Sequence, residues 1–125
     1  MIRHPTGAEL AQAIAAFEAE PVTPGDARRA FLARVADNAR AALAREAEHG
    51  ARLEAEATKR LAALLEQTGD FETLNAKLCV ALRNGAIDPL GPAFMGHLRA
   101  LAIDQITIDQ PGYSGLTALL DRDSG

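Results

Sequence analysis

Side chains that could carry chemistry are few in this chain and widely separated. The histidines are His4, His49 and His97, and no two of them have the i, i+3 or i+4 spacing of a helical metal site. Cys79 has no second cysteine with which to form a disulfide or share a zinc ion. His97 and Asp104 fall on one side of a helix, about 10 Å apart along its axis, so both could line one groove without touching. We therefore expect no catalytic residues, no metal site and no cofactor, and we favour a protein that is not an enzyme.

A second group of polar side chains lies among the apolar positions of predicted helices. Arg34, Asn38 and Arg45 follow one another at i, i+4 and i+11, along one edge of an apolar sector. This stripe is either a solvated border, with arginine stems lying on apolar surface, or a hydrogen-bonding edge for a partner or an anionic ligand. Asn75 lies on the apolar face of another helix. Because a buried amide without a partner costs about 1–3 kcal/mol, Asn75 should be paired within the fold or within a complex.

The composition bounds the class of protein. The 125 residues suit a single domain, residues 1–125. Apolar residues make up 48% but aromatic residues only 4%, so the core is expected to be rich in alanine and thin. The net charge of −4 argues against a nucleic-acid or anionic-membrane surface. No apolar run approaches the roughly 20 residues that span a bilayer. We expect a soluble, cytoplasmic protein.

The elements that must position these residues are helices. Thr6 with Glu9 forms a capping-box pattern, and Asp26 is a candidate N-cap. The predicted helices cover residues 6–20, 26–49, 51–67, 71–84 and 92–109, followed by a tail over 111–125. Because only His49 and Gly50 separate the second helix from the third, these two should form an antiparallel hairpin at the centre of an all-α bundle. The leucine-rich tail should dock on the bundle or on a second subunit.

A characteristic order of residues runs along the predicted helices. Its positions are Arg34-Val35-Ala36, Asn38-Ala39, Arg45-Glu46, Leu74-Asn75, Leu78-Cys79, Arg83, Gly85, His97-Leu98-Arg99, Ile108-Asp109, Pro111 and Tyr113. This order resembles an uncharacterised family of small bacterial helical proteins, whose genes commonly neighbour aminoglycoside-phosphotransferase-like kinases and acyl-CoA dehydrogenases. The resemblance covers roughly residues 8–116, and the chain departs from the family where Gln105 or a nearby position would be lysine and where Gln110 would be asparagine.

This resemblance implies a companion subunit of a kinase that phosphorylates hydroxyacyl-CoA thioesters in short-chain acid catabolism. The kinase would supply the ATP and metal chemistry, and this chain would supply a folding or docking surface. The leading hypothesis is therefore a non-catalytic accessory protein that acts through helix-face contacts, as a homodimer or in a complex with the kinase, with no nucleic acid and no membrane involved. The candidate binding residues are Arg34, Asn38, Arg45, Asn75, Arg83, His97, Asp109 and Tyr113.

The alternative hypothesis is a small-ligand binder or minor enzyme. It would have a pocket between the predicted second, fourth and last helices, and an acyl-CoA would be the natural ligand. Arg34, Arg45 or Arg83 would hold the phosphates of that ligand. The two hypotheses differ in whether these arginines converge on a pocket or stand singly on the surface.

Overall fold

The computed structural model describes residues 4–122, and α-helix is the only regular secondary structure in that range. The helices are α1 Gly7–Ala19, α2 Ala27–Leu65, α3 Phe71–Arg83, α4 Pro92–Asp109 and α5 Ser114–Asp121. The predicted all-α fold is confirmed, and the ends of the predicted domain and tail, residues 1–3 and 123–125, lie outside the described residues. Within residues 4–122, no helix combines the length and the apolar character needed to cross a bilayer.

Side-chain caps define where the first three helices begin. The hydroxyl of Thr6 accepts a hydrogen bond from the backbone N–H of Glu9, and the Glu9 carboxylate accepts one from Thr6 N–H at 2.6 Å. That backbone hydrogen bond lowers the pKa of Glu9. Asp26 accepts from the N–H of Arg28, and Asp70 accepts from the N–H of Thr73. The residues at which α1, α2 and α3 begin are therefore determined by capping side chains within three positions of each start.

The predicted antiparallel hairpin is wrong, because α2 runs without interruption from Ala27 to Leu65. Gly50, which we expected to end a helix, lies buried inside it. A glycine in a helix interior costs about 0.5–1 kcal/mol relative to alanine, and strong helix formers on both sides offset that cost. A Cβ at this position would lie 2.7 Å from the Oε1 atom of Glu46, so the missing side chain makes room for that carboxylate.

The predicted tail is itself helical where the structure describes it, and it docks on α4. Leu116 is buried in this contact. Arg99 donates a hydrogen bond from its guanidinium to the carbonyl oxygen of Leu119, which joins α4 to α5. The docking predicted for this segment is therefore confirmed.

The main core lies along the C-terminal half of α2, where α3 and α4 pack against it. α4 runs antiparallel to α2, since Arg45 bonds near the end of α4 and Arg60 bonds to Asp104, one turn earlier. α1 contacts α2 alone among the described helices and covers one side of its N-terminal half. The long helix thus has a covered half and a half with one face open. The buried core residues are Ala57, Leu61, Phe71, Leu74, Leu78 and Phe94.

Candidate functional site

His97 is a buried histidine on the inner side of α4. It lies one turn from Phe94 and one turn from Leu101, both of which contribute to the core, and helix periodicity therefore turns its side chain inward. Only 3% of His97 is exposed. Neither Nδ1 nor Nε2 has a hydrogen-bond partner among the described residues. Leaving a buried polar atom unpaired costs about 1–3 kcal/mol, so the unpaired nitrogens of this imidazole destabilise the folded state.

Arg60 of α2 and Asp104 of α4 form an ion pair close to His97. The Nη2 atom of Arg60 donates to Oδ2 of Asp104 at 2.8 Å, and both side chains are partly buried. This contact fixes the plane of the guanidinium. The Nε atom of Arg60 is buried and has no hydrogen-bond partner in the described part of the chain. This N–H group is therefore enclosed by protein atoms and, like the two ring nitrogens of His97, has no partner among the described residues.

Burial and charge keep the imidazole neutral. Desolvation lowers the pKa of His97 below its ordinary value of 6.5, and the positive charge of Arg60 lowers it further. The carboxylate of Asp104 acts in the opposite direction and raises the pKa, but it is the smallest of the three effects. At pH 7 the ring is therefore uncharged, with one nitrogen able to donate a hydrogen bond and the other able to accept one.

A depression of about 340 Å³ lies over this cluster, between α2 and α4. Gly96, in its lining, also lines a second depression that includes Asp104, so the two meet along α4. A Cβ built on Gly96 would meet no atom within 4 Å, so packing does not require a glycine there. Its effect is to keep the depression open. We name this depression the His97 groove; its lining residues are Arg60, Ala63, Leu64, Ala93, Gly96 and His97.

The His97 groove is lined by few side chains that could take part in a reaction. It contains one neutral imidazole and one arginine already paired with a carboxylate, and its lining has no serine, cysteine or lysine nucleophile. Across residues 4–122, no three His, Cys, Asp or Glu side chains are grouped so that they could hold a metal ion. The rest of the lining is apolar or lacks a side chain: Ala63, Leu64, Ala93 and Gly96.

Three of the predicted binding residues converge at the C-terminal end of α4. Arg45 donates from Nε to the carbonyl oxygen of Ile108 at 2.6 Å and from Nη2 to that of Asp109 at 3.4 Å. The Asp109 carboxylate accepts from Nε2 of Gln105 at 2.6 Å. Tyr113 lies beside Asp109 in a shallow depression of about 300 Å³. Arg45 thus caps the helix, with a positive charge placed where the helix dipole favours one.

Arg34 and Asn38 are exposed on the N-terminal half of α2. Phe31 and Val35 project from the same side of the helix, since the four positions are separated by three or four residues. Phe31 is 57% exposed and Val35 is 48% exposed. We name Phe31, Arg34, Val35 and Asn38 the open α2 face.

The other predicted residues do not join either group. Asn75 is half-buried on α3, and Arg83 is exposed in the last turn of that helix. Arg34 and Arg45 are eleven residues apart on one helix, about 16 Å along its axis. Five depressions of the described surface are lined by residues other than Arg34, Arg45 and Arg83. Binding of an acyl-CoA by these three arginines therefore stays a prediction.

A protein-family model, a domain of unknown function designated DUF6285, matches residues 21–113. The chain belongs to this family. The DUF6285 match includes all of α2, α3 and α4 and ends at Tyr113, whereas α1 and α5 lie outside it. No curated protein and no solved structure matches the chain. Membership of an uncharacterised helical family is confirmed, and the gene neighbourhood that the resemblance implied stays a prediction.

Sequence reasoning missed Arg60 and Gly96, both inside the DUF6285 match. Arg60 lies three residues after Ala57 and four before Leu64, so it interrupts the apolar side of α2 in a way that the spacing could have revealed. Gly96 is a glycine inside a strongly helical pattern, which is a second signal. What no pattern could reveal is that Arg60 faces His97, since the two residues belong to different helices.

Proposed function

We propose that this protein is a non-catalytic accessory subunit that binds another protein through the open α2 face. The observation that supports the proposal is the exposure of Phe31 and Val35 on neighbouring turns of one helix. Large apolar side chains that adjoin one another on a surface mark protein-binding sites more often than isolated ones do. The polar side chains of Arg34 and Asn38 beside them resemble the rim of an interface.

The continuity of α2 strengthens this proposal. Val35 and Leu53 are eighteen residues apart, which is five turns of 3.6 residues, so they lie on the same side of the helix. Leu53 is buried in the covered half of α2, whereas Val35 is exposed. The apolar side of the helix therefore extends beyond the part that α3 and α4 cover. A partner helix could continue that packing and bury apolar area worth about 25 cal/mol per Å².

The partner that we propose is the phosphotransferase-like kinase implied by the family resemblance. Residues 26–45 carry a net charge of +3, but ion pairs to Glu20, Glu18 and Asp37 hold Arg29 and Arg40. Arg34 is the charged residue of the open α2 face, so an acidic group of the partner should lie opposite it. In this proposal the kinase carries the reaction on hydroxyacyl-CoA thioesters, and the complex is cytoplasmic. A homodimer formed through the same face is the competing assembly.

A binding measurement between the purified kinase and this protein tests the proposal. We expect the two to co-elute in size-exclusion chromatography, and we expect Phe31→Ser with Val35→Ser to weaken the complex at least about tenfold, since apolar anchors at an interface centre carry most of the affinity. Val80→Ser is the matched control, because Val80 is an aliphatic side chain of similar exposure, 55%, on α3. Its binding should equal that of the wild type.

Two results would contradict the proposal. One is a kinase that is soluble and fully active alone and never co-elutes with this protein. The other is a double variant that binds the kinase as tightly as the Val80→Ser control. Analytical ultracentrifugation of this protein without the kinase tests for the competing homodimer. If the homodimer forms through the open α2 face, the wild type should sediment as a dimer and the double variant as a monomer.

A further inference from the structure

We propose that this protein forms a weak homodimer through the outer side of α4, with the two copies of that helix packed antiparallel. The surface is separate from the open α2 face, and the inference does not rest on the proposed function. Met95, Leu98, Ala102 and Ile106 recur at i, i+3, i+7 and i+11, so they form one line along the helix. We name these four residues the outer α4 face.

The outer α4 face is apolar and accessible. α2 packs against the inner side of α4, and α5 packs against another side of it. Met95 is 47% exposed, Leu98 is 41% exposed, and Ala102 is also exposed. Ile106 is half-buried in the next turn. Adjoining apolar side chains on successive turns of one helix are typical of a surface that packs against another helix.

The charges of α4 favour pairing of this face with itself. A two-fold axis brings the same patch of both copies together, so a charge near the axis meets its own kind. The charged residues of α4 are Arg99, Asp104 and Asp109. Arg99 donates to the backbone of α5 and Asp104 accepts from an arginine of α2, so both are used on other sides of the helix. The outer α4 face itself is uncharged, whereas the open α2 face contains Arg34, which would approach the same arginine of a second copy.

The position of Asp109 favours the antiparallel direction. It lies three residues beyond Ile106, on the same side of α4. In a parallel pair the two carboxylates would lie side by side, whereas in an antiparallel pair centred on Ala102 they would be about 21 Å apart along the axis. Each would then lie opposite Met95, near the start of the other helix. That start has Gly91 as its N-cap, with no side-chain hydrogen bond, and the N-terminus of a helix favours a negative charge.

The same register brings apolar side chains together along the rest of the face. With the axis at Ala102, each residue lies opposite the one equally far beyond the axis, so Leu98 meets Ile106 of the second copy. Leu90, exposed just before α4, comes opposite the segment around Tyr113, which is also exposed. The short side chain of Ala102 at the crossing point permits close approach of the two helices.

The size of the face determines how strong the dimer can be. α4 has 18 residues, and a helix of that length is about 27 Å long and about 10 Å wide. The footprint on each copy is therefore about 270 Å², which is small beside the roughly 800 Å² that each partner buries in an interface of standard size. We expect a Kd of about 10–100 μM, so the dimer should form and dissociate with concentration.

Sedimentation equilibrium of the full chain over about 5–500 μM tests the dimer, and the weight-average mass should rise from that of the monomer toward twice that value. Ala102→Lys places two like charges at the axis and should weaken association at least about tenfold. Ala102 is exposed in the monomer, so the circular dichroism spectrum should stay helical. Ala55→Lys is the matched control, because Ala55 is an exposed alanine of α2, and it should associate as the wild type does.

Charge pairing tests the register. Ala102→Glu alone should also remain monomeric, because like charges again meet at the axis. An equimolar mixture of Ala102→Lys and Ala102→Glu should associate, since opposite charges then meet there. The double variant of the open α2 face, Phe31→Ser with Val35→Ser, should dimerise as the wild type does.

The proposal is overturned if the wild type stays monomeric over the whole concentration range, which would leave the outer α4 face to another kind of partner. It is equally overturned if Ala102→Lys and Ala55→Lys associate alike, or if the mixture of charged variants associates no better than its components. A dimer that is lost in the double variant but intact in Ala102→Lys would lie on the open α2 face, which also rejects the proposal.

Discussion

His97 couples the stability of this protein to pH. The residue is 3% exposed, its ring nitrogens have no partner among the described residues, and the charge of Arg60 acts on the ring. All three circumstances disfavour the charged imidazolium. In the unfolded chain the same ring is solvated and accepts a proton readily, so protonation draws the equilibrium toward the unfolded state.

We predict that the free energy of unfolding falls as the pH is lowered through and below 6.5, the ordinary pKa of histidine. The folded-state pKa is lowered, so the unfolded state binds more protons in this window and stability rises with pH, by at most about 1.4 kcal/mol per pH unit. Urea denaturation at pH 7.5 and pH 5.5 measures the effect. His97→Leu should lack this part of the pH dependence and should be more stable at pH 5.5 than the wild type.

His49→Leu provides the control for that experiment, since His49 is only half-buried at the surface of α2. Its pH dependence should follow that of the wild type. If His97→Leu and the wild type lose the same free energy between the two pH values, the buried ring does not control the loss. Glu9 and Asp70 do not confuse the comparison, because their lowered pKa values act at more acidic pH.

At the scale of the helices, the end of α4 depends on a single side chain of α2. Arg45 donates to the carbonyl oxygens of Ile108 and Asp109, two of the groups that a helix leaves unpaired at its C-terminus. Ile108 is fully buried, so this contact also fixes the helix where it enters the core. Tyr113 and the start of α5 follow within a few residues.

Replacing Arg45 with alanine should lower the free energy of unfolding by about 1.5–3 kcal/mol, the range for a hydrogen bond to a charged group that leaves its partner unsatisfied. Thermal or urea denaturation at neutral pH measures it. Arg34→Ala is the control within the same helix, because Arg34 is exposed, and it should change stability by less than about 0.5 kcal/mol. Equal effects of the two substitutions would mean that the Arg45 contact contributes nothing.

Local sequence signals predicted the ends of most helices well. The continuity of α2 and the residues that face each other between helices depend on tertiary packing, which those signals do not contain. The predicted helices over 71–84 and 92–109 differ from α3 and α4 by at most one residue, because an N-cap aspartate and an N1 proline define their starts. At Gly50 the same kind of local evidence failed, since helix formers and buried packing on both sides outweigh one glycine. For the site, periodicity placed His97 on the inner side of α4, but it contained no information on the residue opposite.

At the scale of the whole molecule, the two halves of α2 should differ in stability. The C-terminal half lies against α3 and α4 with the main core, whereas the N-terminal half is covered by α1 alone among the described helices. In α1 only Ile14 is buried. Segments with few buried apolar contacts open without global unfolding. The DUF6285 match, which starts at residue 21, includes both halves of α2 and leaves α1 out.

Native-state hydrogen exchange should show this difference directly. We predict that amides of α1 are at least about tenfold less protected than those of residues 53–65, because α1 can detach while the core stays folded. Ile14→Ala should increase exchange in α1 further and leave residues 53–65 unchanged. Equal protection in the two segments, or a uniform change in the variant, would show that the molecule opens as one cooperative unit.

Because α2 is uninterrupted, it determines how far the open α2 face lies from Arg60. Val35 and Arg60 are twenty-five residues apart, which corresponds to about 37 Å of helix at 1.5 Å per residue. A side chain of a partner that contacts Val35 therefore cannot also contact Arg60. Any effect of binding at the open α2 face on the Arg60–Asp104 ion pair would have to pass along α2, which continues through Gly50 without a break.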